Sequence, residues 1–414
     1  MSQSEPSVTI ESGHSSDHQG GRRRVMALTL AAFCIGTSEF ILVGILPMLA
    51  HEFSIGIPAV GMLVTGYALS VTLGSPVLAL LMGRFDRKHS LIFLMTLFAL
   101  GNLLCALSRG FAALLVARIF TALCHGAFFG IGSIVAADLG PREQRAQSVA
   151  LMFTGLALAN IVGVPMGTAV GHRLGWRITF AIIAILALMA AVLIWWMIPV
   201  HPSRPKPLRD ELSVVLRLPV VLTLLLSTLC SVSLFSVLTY LVPILEHTTH
   251  LARDPVTGAL LCFGGGVTAG NLIGSRFTDH QQKFLLLGGL VTTALVLFAM
   301  PSALTIPVSA MAVLFVWGMM HFASGTPLQP RIIKQAHGTN FAATLNQSAF
   351  NLGNAIGASV GGVLLTRGLA YDKLPTFAGS VMLFTATVAC CTLWFERPRQ
   401  LVKIGTAHVM KGVF

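Results

Sequence analysis

Apolar residues along the chain fall in twelve long runs, which shorter polar stretches separate. Each run is about as long as the roughly 20 residues that an α-helix needs to cross the hydrocarbon of a bilayer. The pattern therefore predicts twelve transmembrane helices, named here span 1 to span 12. In chain order they cover residues 25–50, 59–82, 90–108, 111–138, 147–171, 176–199, 219–244, 257–275, 284–302, 304–326, 340–366 and 375–395.

The composition agrees with a membrane protein and excludes several other classes. Of the 414 residues, 55% are hydrophobic and only 10% are charged, whereas soluble domains carry about 25% charged residues. The same numbers exclude a soluble enzyme and a disordered chain. The net charge is +12, but no basic stripe interleaved with aromatic residues accompanies it, so we expect no nucleic-acid partner.

The seven cysteines all lie inside the apolar runs. A thiol in such surroundings behaves as a small hydrophobic group, and none of the seven stands in a loop at disulfide or metal-ligand spacing. We therefore expect no disulfide, no metal site and no cofactor.

The positive charges predict the orientation of the spans. If the N-terminus is cytoplasmic, 20 of the 27 Lys and Arg residues fall in cytoplasmic segments and 6 in outer loops. The remaining one, Arg118, lies inside span 4. Cytoplasmic loops of membrane proteins carry such an excess of Lys and Arg. Both termini are thus predicted to be cytoplasmic.

The longest internal break between spans is rich in proline and charge, and it divides the chain into six spans and six. The polar N-terminal segment has the composition of a disordered tail. The predicted organisation is a disordered cytoplasmic tail (1–24), an N-terminal six-helix bundle (25–199), a cytoplasmic linker (200–218), a C-terminal six-helix bundle (219–395) and a second cytoplasmic tail (396–414).

The two halves resemble each other in sequence. Residues 160–167 of span 5 match residues 354–361 of span 11 at an offset of 194, and His125 of span 4 matches His321 of span 10 at an offset of 196. These matches indicate a duplicated six-helix unit. Since six is even, both copies have the same orientation. Parallel halves with a site at their interface are typical of alternating-access transporters.

Short motifs in and beside the spans carry a family resemblance. They are Gly36-Thr-Ser-Glu39-Phe in span 1, residues 118–130 in span 4, 137–145 after it, 160–167 in span 5, 175–180 at the start of span 6 and 346–361 in span 11. On these motifs the chain resembles the major facilitator superfamily over residues 25–395. Within it, the chain is similar to the twelve-span drug:proton antiporter family, in the branch with arabinose-, purine- and chloramphenicol-efflux proteins.

The resemblance implies an all-α membrane protein with twelve transmembrane helices in two parallel six-helix repeats. It also implies a small-molecule substrate and protons as partners, with the lipid bilayer around the spans. We expect a monomer in the cell (inner) membrane.

The loop after span 2 departs from the family pattern G-x-L-A-D-R-x-G-R-R. Gly83 stands at the position of the Asp, Arg84 and Arg87 remain basic, and Asp86 stands at the second Gly. In the family this Asp latches one half against the other. We expect Asp86 or Asp138 to take that role, and all five residues are gating candidates.

The antiporter motif of span 5 is also reduced, to Gly163, Pro165 and Gly167. The resemblance makes these three residues further candidates for conformational gating, and it favours export over import.

Two full charges lie deep in spans, where a charge costs about 2.5–3.5 kcal/mol and is usually functional. Glu39 is about 15 Å and Arg118 about 12 Å from the predicted outer surface, at 1.5 Å per residue. An ion pair between them, direct or through water, is expected. Glu39 is predicted to bind a proton outside and release it inside, since burial favours its neutral form and Arg118 its charged form. The alternative is a fixed pair that only holds spans 1 and 4 together.

Other polar residues of the spans are candidates for the wall of a substrate cavity. A buried histidine bonded to backbone is an equally ordinary interpretation, and hydrogen bonds between helices equally explain buried amides. These candidates are Thr121, His125, Tyr240, His321, Asn351 and Asn354.

The leading functional hypothesis is a secondary transporter that exports a small molecule in exchange for protons. Its substrate would be a sugar, a purine-like metabolite or a drug, and drug resistance would follow from the last. The alternatives are a proton-coupled importer or facilitator of the same fold, and a non-transporting membrane receptor. An enzyme is not expected, because the sequence has no nucleophile–base triad and no nucleotide-binding motif.

Overall fold

The computed structural model describes residues 13–82, 85–140, 145–200, 216–249, 251, 253–277, 281–336 and 340–411. Within these ranges the chain is helical apart from short connections and has no strand. Twelve helices of the described chain are long and apolar enough to cross a membrane. The predicted all-α architecture is therefore confirmed. Most of the predicted linker, and the loop residues Gly83 and Arg84, lie outside the described residues.

The helices follow the predicted spans in order. Spans 1 to 6 are Gly13–Phe53, Ile57–Met82, Arg87–Leu107, Phe111–Leu139, Arg145–Leu174 and Trp176–Met197. Spans 7 to 12 are Leu218–Thr249, Arg253–Gly274, Gln282–Ala303, Pro307–Gly325, Asn340–Thr366 and Tyr371–Lys411, with a short helix Leu328–Gln335 after span 10.

The outermost helices are longer than the apolar runs predict. The first begins at Gly13, inside the segment predicted as a disordered tail, and the last continues to Lys411 through most of the second predicted tail. In the first helix no proline occurs before Pro47, so every polar residue of its N-terminal part keeps the backbone N–H that a helix needs. The part suited to the membrane begins only at Gly21.

Spans 5 and 7 are irregular. Span 5 widens to a π-helical turn over Ala159–Gly163. Span 7 is interrupted after Leu238 and resumes at Leu241, because Tyr240 has φ −106° and ψ 15°. Pro243 lies just beyond and cannot donate the backbone hydrogen bond that would continue the helix. Interruptions of this kind are frequent at functional sites.

The two halves pair their first and fifth helices in the same way. Thr29 of span 1 donates to the Leu151 carbonyl of span 5 (2.9 Å), and Thr228 of span 7 donates to the Ala349 carbonyl of span 11 (3.0 Å). These contacts relate the halves at an offset of 198–199, about one helical turn more than the 194 that the motif match predicts. Most glycines of both spans are separated by four residues or a multiple of four, so a match displaced by four still aligns some of them. The two halves therefore remain repeats of each other, but each residue of span 5 corresponds to a residue of span 11 one helical turn further along than the motif match predicts.

Contacts between the halves run mainly between spans 2 and 11 and between spans 5 and 8. The Thr65 and Ser359 hydroxyls lie 3.1 Å apart, and Thr72 donates to the Ser348 carbonyl (3.3 Å). The backbone of Gly264 in span 8 lies against the Asn160 carbonyl in the π turn so closely that a Cβ would not fit. The halves are therefore in direct contact along this interface.

Tyr240 closes a further part of the interface. Its ring occupies a slot between Gly61 of span 2 and Gly361 and Gly362 of span 11. Its hydroxyl donates to the Ala358 carbonyl (2.7 Å), and the side chain is completely buried. A slot lined by glycines admits a large ring at the interrupted position of span 7.

Replacing Gly264 by alanine should disturb the contact between spans 5 and 8. The added methyl group meets the Asn160 backbone, and overpacking of this kind costs about 1–3 kcal/mol. We expect Gly264→Ala to lower the thermal unfolding temperature in detergent. The adjacent Gly265→Ala is the matched control, because its Cβ would stand 3.6 Å from the Phe315 ring. Equal unfolding temperatures for the two variants would contradict the close approach described here.

Candidate functional site

The two charges predicted to act together lie near each other on spans 1 and 4 of the N-terminal half. Glu39 on span 1 is 9% exposed, and Arg118 on span 4 is completely buried. Arg118 Nη1 donates to the Ser38 carbonyl (2.8 Å) and to the Ser38 hydroxyl (3.1 Å). No ion pair within 4.0 Å joins Arg118 to Glu39 in the described structure. The guanidinium thus binds the residue before Glu39 and acts on the carboxyl through space.

Arg118 is otherwise held by neutral groups. Its guanidinium carbon lies 4.1 Å from the centre of the Tyr67 ring and 5.9 Å from that of Phe180. A cation over an aromatic face is stabilised by the ring quadrupole. Ser38 is in turn fixed by Asn102, whose Oδ1 accepts from the Ser38 hydroxyl at 2.8 Å. Among the described residues, Arg118 Nε and Nη2 have no hydrogen-bond partner, so the burial of this charge is only partly compensated.

Glu39 faces both halves of the protein. One carboxyl oxygen, Oε2, lies 3.9 Å from Nε2 of His125 on span 4. The other, Oε1, lies 3.5 Å from Nδ2 of Asn354 on span 11 of the C-terminal half. The carboxyl therefore stands at the boundary that must open and close if the halves move against each other.

His125 is fixed from its other side. Its Nδ1 lies 3.1 Å from the hydroxyl of Tyr67 on span 2, and its ring packs 5.2 Å from that of Phe129. Within the described chain, Nε2 of His125 has no hydrogen-bond partner. Glu39, His125, Tyr67 and Arg118 form one buried polar cluster, named here the Glu39 cluster.

The other predicted cavity residues divide into two groups. Asn354 joins the Glu39 cluster, whereas Asn351 is completely buried and donates to the Gln347 carbonyl of its own helix (3.0 Å). Thr121 donates to the Ala117 carbonyl (2.7 Å) and packs on Gly101. Thr121 therefore contributes to the packing of spans 3 and 4.

Two cavity candidates of the C-terminal half lie away from the cluster. Tyr240 fills the glycine slot described above. His321 is 4% exposed and packs beside Phe322, and its Nδ1 lacks a hydrogen-bond partner within the described ranges.

The gating candidates in the loop after span 2, and Asp138 at the end of span 4, form local contacts at the predicted cytoplasmic ends of these helices. Asp86 caps span 3 by accepting from the Lys88 and His89 backbone N–H groups. Asp138 pairs with Arg87 (2.9 Å) and with Arg145 (3.6 Å). All of these contacts lie within the N-terminal half, so the described part of the loop shows no bond to the other half.

The gating candidates of span 5 pack against span 1. Gly163 lies against Thr37 with no room for a Cβ, and Gly167 lies against the end of the Ile41 side chain. Pro165 is the second residue of the helix Val164–Leu174 that follows the π turn. These residues allow spans 1 and 5 to approach closely next to Glu39.

A small cavity of about 10 Å³, room for about one water molecule, lies between the two halves. Its lining is apolar except for one amide. The lining residues are Phe40, Val43, Asn160, Val164, Leu238, Leu260 and Phe263.

Sequence reasoning missed three members of the surroundings of Glu39 and Arg118. These are Tyr67, Ser38 and Asn102. A signal for Tyr67 exists, because the chain has only three tyrosines and this one lies in the middle of an apolar run. A serine or an asparagine in a span is common, so Ser38 and Asn102 give no such signal.

The fold and the buried polar cluster between two parallel six-helix halves define a multi-span transporter of small molecules. Comparison with known proteins agrees, since a family model for the Major Facilitator Superfamily matches residues 28–358. The chain belongs to the Major Facilitator Superfamily.

Several relatives cover most of the chain. The inner membrane transport protein YdhP of Escherichia coli K12 is 38% identical over 86% of this chain and 92% of its own length. The putative transporter AraJ of the same strain is 32% identical over 92% of this chain and 96% of its own. A probable sugar efflux transporter of Helicobacter pylori is 31% identical over 84% and 90%.

A solved structure has the same fold. It is a bacterial homologue of the human lysosomal transporter Spinster in an inward-facing, unoccupied conformation, with a TM-score of 0.67 and 15% identity. The match covers 90% of this chain and 95% of that one. The predicted resemblance to the superfamily is confirmed, and a relative named as a probable sugar efflux transporter agrees with the predicted branch.

Proposed function

We propose that this protein exports a small molecule from the cell in exchange for protons, and that Glu39 carries the proton. The observation that supports this is the place of Glu39, buried between the halves with His125 of one half and Asn354 of the other beside its two oxygens. A carboxyl there changes its surroundings when the halves move.

Two opposing effects on the Glu39 carboxyl couple its protonation to the movement of the halves. Burial favours its protonated form, and the positive charge of Arg118 favours its ionised form. A movement that admits water on one side changes this balance. Proton binding from outside and release inside then requires only that Glu39 faces each side in turn.

Export is the proposed direction because a relative is named a sugar efflux transporter. The proposed location is the inner membrane, since YdhP is named an inner membrane transport protein. The proposed substrate is a sugar, a purine-like metabolite or an amphiphilic drug, and a transport experiment distinguishes these classes.

The test is a transport screen in everted membrane vesicles. Monosaccharides, nucleobases and amphiphilic drugs are offered in turn, with an imposed proton gradient. Uptake into everted vesicles against a concentration gradient, accompanied by measurable proton movement out of them, supports proton-coupled export. Uptake that requires the opposite gradient would establish an importer instead, and uptake indifferent to the gradient a facilitator.

The proposed orientation places both termini in the cytoplasm, and cysteine labelling tests it. In a background without reactive thiols, Ser203→Cys and Thr406→Cys should react with an impermeant reagent only in everted vesicles. His51→Cys and Arg253→Cys should react only in intact cells. The opposite accessibility at any of the four positions would refute the orientation, which rests on the distribution of Lys and Arg.

A further inference from the structure

The Glu39 cluster contains a buried histidine and a buried tyrosine that the proton exchange just proposed does not use. His125 and Tyr67 are 0% and 2% exposed. They lie on spans 4 and 2, and the Tyr67 hydroxyl is 3.1 Å from Nδ1 of His125. Nε2 of His125 is 3.9 Å from Oε2 of Glu39, and it has no hydrogen-bond partner in the described part of the protein.

We propose that Tyr67 holds His125 as the neutral tautomer with its proton on Nε2, and that this N–H is the positioning donor for the ionised carboxyl of Glu39. The proposal rests on the proton-carrying role of Glu39 given above. It adds two positioning residues to that role.

The tautomer follows from the two contacts of the ring. A neutral imidazole has one N–H and one acceptor nitrogen, and the bond made by one nitrogen fixes the state of the other. The Tyr67 phenol is a stronger acid than an imidazole N–H, so it donates to Nδ1. The ring proton is then on Nε2, the nitrogen that faces Glu39.

The surrounding charges keep the imidazole neutral. Arg118 lies over the Tyr67 ring at 4.1 Å, and a second positive charge beside this guanidinium is unfavourable. The other titratable groups around Tyr67 are Cys105 of span 3 and Cys124 of span 4, and both are buried thiols. Glu39 is therefore the group of the cluster that exchanges protons. His125 stabilises the negative charge of the ionised Glu39 without taking up a proton itself.

The distance of 3.9 Å is longer than a hydrogen bond. Hydrogen bonds at functional sites often reach their full strength only in the working complex. A shift of the Glu39 carboxyl by about 1 Å brings its Oε2 within hydrogen-bond distance of His125 Nε2. Asn354 then donates to the second oxygen from the other half, so the ionised carboxyl accepts a bond from each half.

Nitrogen NMR of the full-length protein in lipid, labelled with ¹⁵N-histidine, tests the tautomer without any substrate. The His125 signals are those that disappear in His125→Phe. We expect a neutral ring with its proton on Nε2 across the pH range in which histidine ordinarily titrates. In Tyr67→Phe this preference should be lost. A His125 that becomes imidazolium in that range, or that carries its proton on Nδ1 in the parent, would overturn the proposal.

Infrared difference spectroscopy over a pH titration tests the effect on Glu39. The carboxyl band of protonated Glu39 is the one absent from Glu39→Gln. In Tyr67→Phe and His125→Phe we expect the midpoint of its titration to rise by about one pH unit, a tenfold change in proton concentration. His125→Phe removes the hydrogen bond to the charged form, and Tyr67→Phe releases the tautomer that makes this bond. His321→Phe is the matched control, since His321 lies at the repeat-related position away from Glu39, and it should leave the midpoint unchanged.

The outcomes separate the two proposals. A Glu39 band that titrates alike in the parent, Tyr67→Phe and His125→Phe overturns the positioning role alone. A Glu39 that never changes protonation refutes both the positioning role and the proton-carrying role. An equal shift in His321→Phe shows a general effect of removing a buried histidine, and it also overturns the positioning role.

Discussion

Glu39→Gln should abolish uphill export while leaving the protein folded and able to bind substrate. The amide has nearly the shape of the protonated carboxyl, and it neither gains nor loses a proton. Without a group that alternates between the two forms, the proton gradient no longer drives the cycle. The measurement is accumulation of the substrate identified in the everted-vesicle screen, compared with the parent at equal protein content.

Downhill exchange provides the internal control for this variant. Vesicles loaded with unlabelled substrate should still exchange it for labelled substrate when Glu39 is replaced by Gln, since the halves keep their contacts. Glu52→Gln is the matched control variant. It replaces a carboxylate of the same span that bonds Trp176 and Arg177 near the predicted outer surface. If Glu39→Gln vesicles accumulate substrate at the parental rate, the proton travels by another residue.

Arg118→Met should separate stability from transport. The guanidinium is completely buried and two of its nitrogens lack partners within the described chain. A buried cation with unpartnered nitrogens carries a desolvation cost, and an apolar side chain of similar volume removes that cost. We therefore expect an unfolding temperature in detergent equal to or above that of the parent.

Transport by the same variant should fall at least about tenfold, which corresponds to a loss of about 1.4 kcal/mol. The carboxyl of Glu39 loses the positive charge that favours its ionised form, so it keeps its proton on both sides. Arg118→Lys is the companion variant, since it keeps the charge but offers a single ammonium group to Ser38. Full transport by Arg118→Met would show that the arginine only holds spans 1 and 4 together.

The spans and the two deep charges are the parts of this protein that sequence reasoning predicts well. A run of 20 apolar residues has few alternatives to a transmembrane helix. A charge inside such a run is conspicuous, so Glu39 and Arg118 could be named before the structure. Their depths also placed them at one level of the bilayer.

The partners of those charges could not be predicted, because they depend on which faces of the helices meet. The guanidinium of Arg118 binds Ser38 and the face of Tyr67, whereas charge complementarity alone predicts a bond to Glu39. The contact of Glu39 with Asn354 joins residues that are 315 positions apart. No local pattern encodes such a pair.

The repeat illustrates a second limit of sequence reasoning. The matched motifs of spans 5 and 11 give an offset of 194, and the contacts of Thr29 and Thr228 give one about a turn longer. Small residues at four-residue intervals pack equally well after a displacement of one turn. Only the hydrogen bonds between spans distinguish the two registers.

Glu39 is the one acidic residue among the described side chains that is buried in the bundle. If each cycle exchanges one proton at this carboxyl, the export of a neutral molecule moves one charge across the membrane. A membrane potential of 100 mV then contributes about 2.3 kcal/mol per cycle, and one unit of pH difference contributes about 1.4 kcal/mol. Together these sustain a substrate gradient of about 500-fold. For a substrate with one positive charge, the electrical part cancels, and the same carboxyl sustains only about a tenfold gradient.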